Sequence, residues 1–244
     1  REREEAALLA KNEQLRANLL RSISHDLRTP LTAISGNAGI LLANSENMEE
    51  EKRKQLYGDI YDDTLWLINL VENLLSVTRI EDGTMKLRLT TELLDEIVAE
   101  ALRHTGRKSS EHQIKVKLTD ALILVKVDAR LIMQVIINLV DNAIKYTPPG
   151  SEIVIAAKQK DSQAFITVSD NGSGISDEAK KHIFDMFYTA NTEIADSHRS
   201  LGLGLALCKS IITAHGGNIT VTDNLPHGAL FTFTLPAEEV KLHE

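Results

Sequence analysis

The sequence predicts an α+β protein in two parts. The first is an N-terminal long-helix hairpin that forms a dimeric four-helix bundle. The second is an α/β sandwich with a mixed sheet. Three observations carry this reading. Apolar residues recur at three- and four-residue steps through roughly the first 80 positions, the period of a helix face. After the "EDG" of 81–83 the pattern changes to short alternating segments interleaved with helical ones. Two hairpin signals close the second part, so its sheet is not built from regular crossovers alone.

Bulk properties narrow the function classes. Of 244 residues, 43% are hydrophobic and 25% charged, ordinary for a globular protein. The formal net charge of −8 argues against a nucleic-acid partner, which needs a basic face. Cys208 is the single cysteine, so no internal disulfide forms and a reducing, cytoplasmic setting is expected. No apolar run approaches the roughly 18 residues of a membrane span, and no signal peptide is visible. The chain opens on Arg1 in a charged helical run, which reads as a fragment of a longer protein.

From Arg1 to about Ala43, Leu20, Ile23, Leu27, Leu31, Ile34, Ala38 and Leu41 form one seam. About 42 residues of helix run about 63 Å at 1.5 Å per residue. "ANSENMEE" (43–50) reads as a loop and an acidic helix start. A second stripe follows at Leu56, Ile60, Leu67, Leu70, Leu74 and Val77, with Gly83 a plausible C-cap. Two helices with one apolar stripe each are best covered by a second copy. The expected division is 1–83 for the hairpin and 84–244 for the rest. In the latter, "MKLRLT" (85–90) reads as a strand and 92–105 as a helix. Residues 114–118 and 123–127 read as strands, and 128–146 as a strongly apolar helix stopped by Pro148–Pro149–Gly150. "EIVIAAKQ" and "QAFITVSD" make a hairpin. Helices are expected near 177–184 and over 203–215, then a last hairpin from "NITVTDN" and "ALFTFTL".

Two constellations carry chemistry. In "SHDLRTPLTAI", His25 lies about 200° round the helix from seam residue Leu27, so it should face water. A lone exposed histidine is an ordinary surface residue, but its neighbours change that reading. Asp26 can bond Nδ1–H, fix the tautomer and leave Nε2 as a nucleophile. Thr29, at i+4 on the same face, can hold a water there. Pro30 either ends the helix or bends it just past His25.

In "NLVDNAIKYTPPG", Asn138, Asn142 and Lys145 fall at i, i+4 and i+7. Such a stripe on an apolar helix needs a polar partner, and a nucleotide with its metal would serve. Asn138 offers an oxygen to Mg²⁺, Lys145 a point charge to phosphate, and Tyr146 lies beside them. In "DNGSGI" (170–175), Asp170 is an acceptor suited to an exocyclic amine, and Gly172 and Gly174 allow close approach. By itself this is an ordinary turn. "LGLGLALCKSI" sets Gly202, Leu203 and Gly204 at a helix opening suited to phosphate, but it is neither a Walker A loop nor a dinucleotide fingerprint. The polar stretch 186–200 between them reads as a lid. Arg199 at its end either reaches a terminal phosphate or lies in solvent.

The stretch "SHDLRTPLTAI" closely resembles the phosphoacceptor box of sensor histidine kinases, whose H-[DE]-x-x-T-P motif opens a dimeric helical hairpin. Asn138–Asn142, Asp170–Gly172–Gly174, Phe184–Phe187 and Gly202–Gly204 resemble the N, G1, F and G2 boxes of the same kinases. Those boxes belong to a Bergerat-type ATP-binding domain shared with gyrase, Hsp90 and MutL (the GHKL group). Ser200 departs from the pattern, which often has another glycine there. Within the family the chain most resembles the potassium-responsive sensor kinases. The resemblance implies an ATP- and Mg²⁺-dependent protein-histidine kinase that is autophosphorylated on His25. Asp26 would assist as base, and Thr29 would position water for dephosphorylation. The partners implied are a second copy and a response-regulator receiver, and the parent would be anchored in a bacterial inner membrane. Two other readings fit the same residues: a GHKL-type ATPase or serine kinase without phosphohistidine, and a non-catalytic dimerisation module.

Overall fold

The computed structural model describes residue 24 and residues 27–81, 87–105, 107–118, 122–186, 188–189 and 202–238. Leu20, Ile23, His25, Asp26, Gly83, Phe187, Arg199, Ser200 and the greater part of the expected lid lie outside these residues, as does the side chain of Val77. The chain divides into two compact units, Arg1–Leu74 and Leu75–Glu244. No helix among the described residues is long and apolar enough to cross a membrane.

In the first unit, helix α1 (27–44) runs unbroken through Pro30, so the proline does not end it. A one-turn 3₁₀ helix, Ser45–Asn47, reverses the chain into α2 (Glu50–Glu81). So short a connection makes the two helices antiparallel neighbours. Leu41, Leu56 and Leu70 are buried, and Ile60, Leu67 and Leu74 half-buried, as the seam predicts. The expectation of one stripe on the second helix needs correction. Tyr57, Tyr61, Leu65, Ile68, Val71 and Leu75 are exposed, and at 100° per residue they fall within an arc of about 120°. That second stripe lies beside the buried one, so α2 is apolar on two adjacent faces.

The second unit is a seven-stranded sheet in which six strands run in the order β1-β3-β7-β5-β4-β2 and β6 pairs with β7 beside that path. Its strands are β1 (Thr90–Leu93), β2 (Gln113–Leu118), β3 (Leu124–Val127), β4 (Glu152–Lys160), β5 (Gln163–Asp170), β6 (Ile219–Asp223) and β7 (Ala229–Glu238). The pair β2–β4 is parallel and the other pairs are antiparallel. One edge of β7 pairs with β5 throughout, while its other edge is shared between β6 and, at Ala237 and Glu238, β3.

Three longer helices, α3 (Leu94–Arg103), α4 (Ala129–Lys145) and α6 (Gly204–Ala214), cover one face, and the short α5 (Asp177–His182) precedes α6. Helix α4 is central and packs on α3, α6, β4 and β5. Its Ile132, Ile136 and Leu139 meet Ile153, Ile155, Ile166, Phe233 and Leu235 of the sheet in one fully buried core. Strict alternation along β4, β5 and β7 turns every second residue into that core.

One boundary differs from the expectation of a strand over 85–90 and a helix from 92. Glu92 and Leu93 are strand, paired with Val125 and Leu124 of β3. Their apparent helical spacing is overridden by tertiary pairing, which local pattern does not report.

His215, just after α6, is buried. Its Nδ1–H donates to the Ile211 carbonyl at 2.8 Å, and Nε2 accepts the Asp128 N–H at 3.0 Å. The ring thus ties the end of α6 to the start of α4. His215→Ala leaves the Asp128 N–H without its partner, and urea unfolding should show a loss of about 1–3 kcal/mol.

Candidate nucleotide site

Helix α4 gathers the second constellation. Its apolar residues take the buried face, which leaves Asn138, Asn142 and Lys145 half-buried on the other. At one end, Asn138 Nδ2 donates to the Gly204 carbonyl at 3.4 Å. That contact places the α6 N-terminus against the stripe. Gly202 has φ +65°, and Leu203 is buried, so the approach offers main chain rather than side chains. At the other end, a Cβ on Gly172 would lie 2.7 Å from the Thr147 methyl and 3.4 Å from the Tyr146 carbonyl. The 170–174 turn therefore packs directly on the end of α4. Two segments far from α4 in sequence thus meet along it.

Asp170 is buried because it continues the inward register of Ala164, Ile166 and Val168 on β5. It stands opposite Ile153 of β4. Its Oδ1 accepts the N–H of Gly172 at 2.9 Å and of Ala229 at 3.2 Å. Among the described residues Oδ2 has no hydrogen bond. A buried carboxylate with one oxygen pinned and the other open is a directional acceptor.

Lys145 is half-buried, and burial pulls its amine down to about 8. Among the described residues it forms no ion pair, and its Nζ lies over the Tyr146 ring, 5.3 Å from the centroid. A half-buried cation without an anion is a site for one. The Asn142 side chain likewise has no hydrogen bond among the described residues. Asn138 is more committed than the sequence suggests: its Oδ1 accepts from Gln134 Nε2 at 3.2 Å, and Cys208 sits behind it. That thiol is buried, pushed up to about 12, and directed at the Val135 carbonyl, so it is inert. Phe184 packs edge-on against Phe231 at 6.4 Å. Gly174 has φ +76°.

In the first unit, Thr29 is exposed on α1, as expected. Sequence reasoning missed Thr147, Gln134 and the β6–β7 turn behind Asp170. The hydrophobic period of β5, continued to its last residue, was the available signal for Asp170 itself.

The second unit has the α/β sandwich of Bergerat-type ATP-binding domains, preceded in the chain by a helical hairpin. Residues 15–83 match the His Kinase A (phospho-acceptor) domain, and residues 127–239 match the histidine kinase-, DNA gyrase B- and HSP90-like ATPase family. The chain belongs to the sensor histidine kinases. It is 45% identical over 98% of its length to the sensor protein KdpD of Clostridium acetobutylicum and 37% identical over 96% to KdpD of Escherichia coli. It spans 26% of the length of each. The potassium-sensor likeness expected from the sequence agrees with these relatives. A solved histidine kinase, ThkA, in complex with the response regulator protein TrrA, superposes with TM-score 0.64 at 26% identity, covering 91% of this chain and 61% of that one.

Because Lys145 sheds its proton in the folded chain at about 8 rather than the ordinary 10.5, the unfolded chain binds more protons between those values. Its contribution to stability therefore rises with pH across that window. Lys145→Met should remove that rise, read as the difference between the two pH–stability profiles.

Proposed function

We propose that this chain is the catalytic core of an ATP-dependent protein-histidine kinase that phosphorylates its own His25. The observation that carries it is the pairing, at α4, of the half-buried Lys145 ammonium, which has no ion pair among the described residues, with the open Asp170 Oδ2. One suits phosphate and the other an exocyclic base amine such as adenine N6. Asn142 and Asn138 present amide oxygens of the kind Mg²⁺ prefers, and the ion would neutralise phosphate charge there. The start of α6 lies against the same stripe through Gly204, and its N–H groups, with Gly202, Leu203 and Gly204, suit a phosphate oxygen. Arg199 adds a second cation in this reading.

In the transfer, Nε2 of His25 attacks the γ-phosphorus. The bond to the bridging oxygen breaks, its electron pair leaves with ADP, and Asp26 takes the Nδ1 proton. Positioning and charge neutralisation do most of the work, so the second unit (84–244 in this division) must move relative to the hairpin (1–83), with a hinge near Glu81–Gly83. The phosphoryl group then passes to an aspartate of a response-regulator receiver, as the ThkA–TrrA complex supports. The exposed stripe Tyr57–Leu75 on α2 supports the second copy: six apolar side chains on one face of a long helix need cover. The parent protein is proposed to be held at a bacterial inner membrane.

Incubation with labelled ATP and Mg²⁺ should give acid-labile phosphate on the chain. His25→Ala should abolish the label while ATP binding persists; persistent or acid-stable label refutes the assignment. Thr29→Ala should slow dephosphorylation of a phosphorylated receiver by about tenfold more than it slows autophosphorylation, the scale of one lost hydrogen bond.

A further inference from the structure

The turn between β6 and β7 lies directly behind the 170–174 segment and holds it at several independent points. Asn224 Nδ2 donates to the Asp170 carbonyl at 2.7 Å. His227 Nδ1–H donates to the Asn171 carbonyl at 2.9 Å. The Ala229 N–H, at the turn's exit, donates to Asp170 Oδ1 at 3.2 Å. Gly228 has φ +120°, and a Cβ there would lie 1.9 Å from the Asp170 carbonyl oxygen. Only glycine allows the two segments to come this close. The turn is itself closed by the Asn224 N–H donating to the Gly228 carbonyl at 3.0 Å.

These contacts act on both halves of Asp170. Asn224 fixes its main chain, and Ala229 fixes the carboxylate rotation through Oδ1. Their joint effect is the direction of Oδ2, the oxygen left open. We propose that the β6–β7 turn, Asn224–Gly228, positions the base-recognising carboxylate, with Asn224 as the positioning residue that sets selectivity for an amine-bearing purine. This rests on the reading of Asp170 as the acceptor of the nucleotide base. A carboxylate oxygen held in one direction accepts from a 6-amino group and repels a 6-oxo group. Freed to rotate, it discriminates less. The same end of β6 also reaches α5, through the bond of Lys180 Nζ to Asp223 at 2.8 Å, so the turn is anchored on both sides.

The test measures ATP and GTP affinity of the full chain for wild type, Asn224→Ala, Asn224→Asp, His227→Ala and Asp170→Ala. Losing the Asn224 bond should weaken ATP binding about tenfold, the scale of one hydrogen bond. GTP binding should change less, so the ATP preference falls, and the loss should appear in KM for ATP rather than in kcat. Asn224→Asp sets a carboxylate against the Asp170 carbonyl and should lose more than Asn224→Ala. His227 is exposed, so His227→Ala tests the same turn without a buried change and should show a smaller loss in the same direction. Should Asn224→Ala not fold, His227→Ala decides alone. Wild-type ATP affinity and preference in the folded turn variants, with Asp170→Ala still losing ATP, overturns the positioning role. Undiminished ATP binding by Asp170→Ala overturns instead the base-acceptor reading.

Discussion

The C-terminal unit depends on one constraint, the two-sided character of α4. Its Ile132, Val135, Ile136, Leu139 and Val140 are buried and form the centre of the core. Burying that face fixes the rotation of the helix about its axis. Asn138, Asn142 and Lys145 then have no choice of direction. They line the other side, where Asn138 meets Gln134 and Gly204 while the side chains of Asn142 and Lys145 are left to solvent or a ligand. Because α4 is held by α3, α6 and the sheet together, the polar stripe is presented by a rigid element. A site on such an element keeps its geometry better than one built from loops alone.

The other parts of the site are set by how they reach this helix. Gly204 arrives through Asn138, and the 170–174 turn arrives through Thr147 and Gly172. Asp170 is the outcome of sheet register. Period two along β5 carries it to the covered face, and Gly172 and Ala229 then hold one of its oxygens. The carboxylate would be costly there without those N–H groups. Burial thus has two different uses near the C-terminal end of α4. It holds a directional acceptor at Asp170 and leaves Lys145 as a cation with weakened hold on its proton.

The hairpin follows a different logic. Two adjacent apolar faces run along α2, one covered within the hairpin and one exposed. The face at Leu56, Leu67 and Leu70 is covered, while the face at Tyr57, Tyr61 and Ile68 is not. Within the proposed kinase, this division lets one helix close the hairpin and bind a second copy without rearrangement.

Much of this was legible in the sequence. Hydrophobic period located α4, α6, the β4–β5 and β6–β7 hairpins and the hairpin seam, because burial of a face leaves a direct imprint on residue order. The spacing of Asn138, Asn142 and Lys145 showed their common face for the same reason. Other features belonged to the tertiary structure alone. Pairing with β3 made Glu92 and Leu93 strand against their local pattern, and Pro30 stayed within α1. The partners of Asp170 at Ala229 and Asn224 lie more than 50 positions away, and no local rule joins residues at that distance. Short-range order determines which face an element hides. Only the packed sheet decides which distant N–H groups meet a carboxylate, because that depends on strand register and on how closely two backbones approach at Gly228.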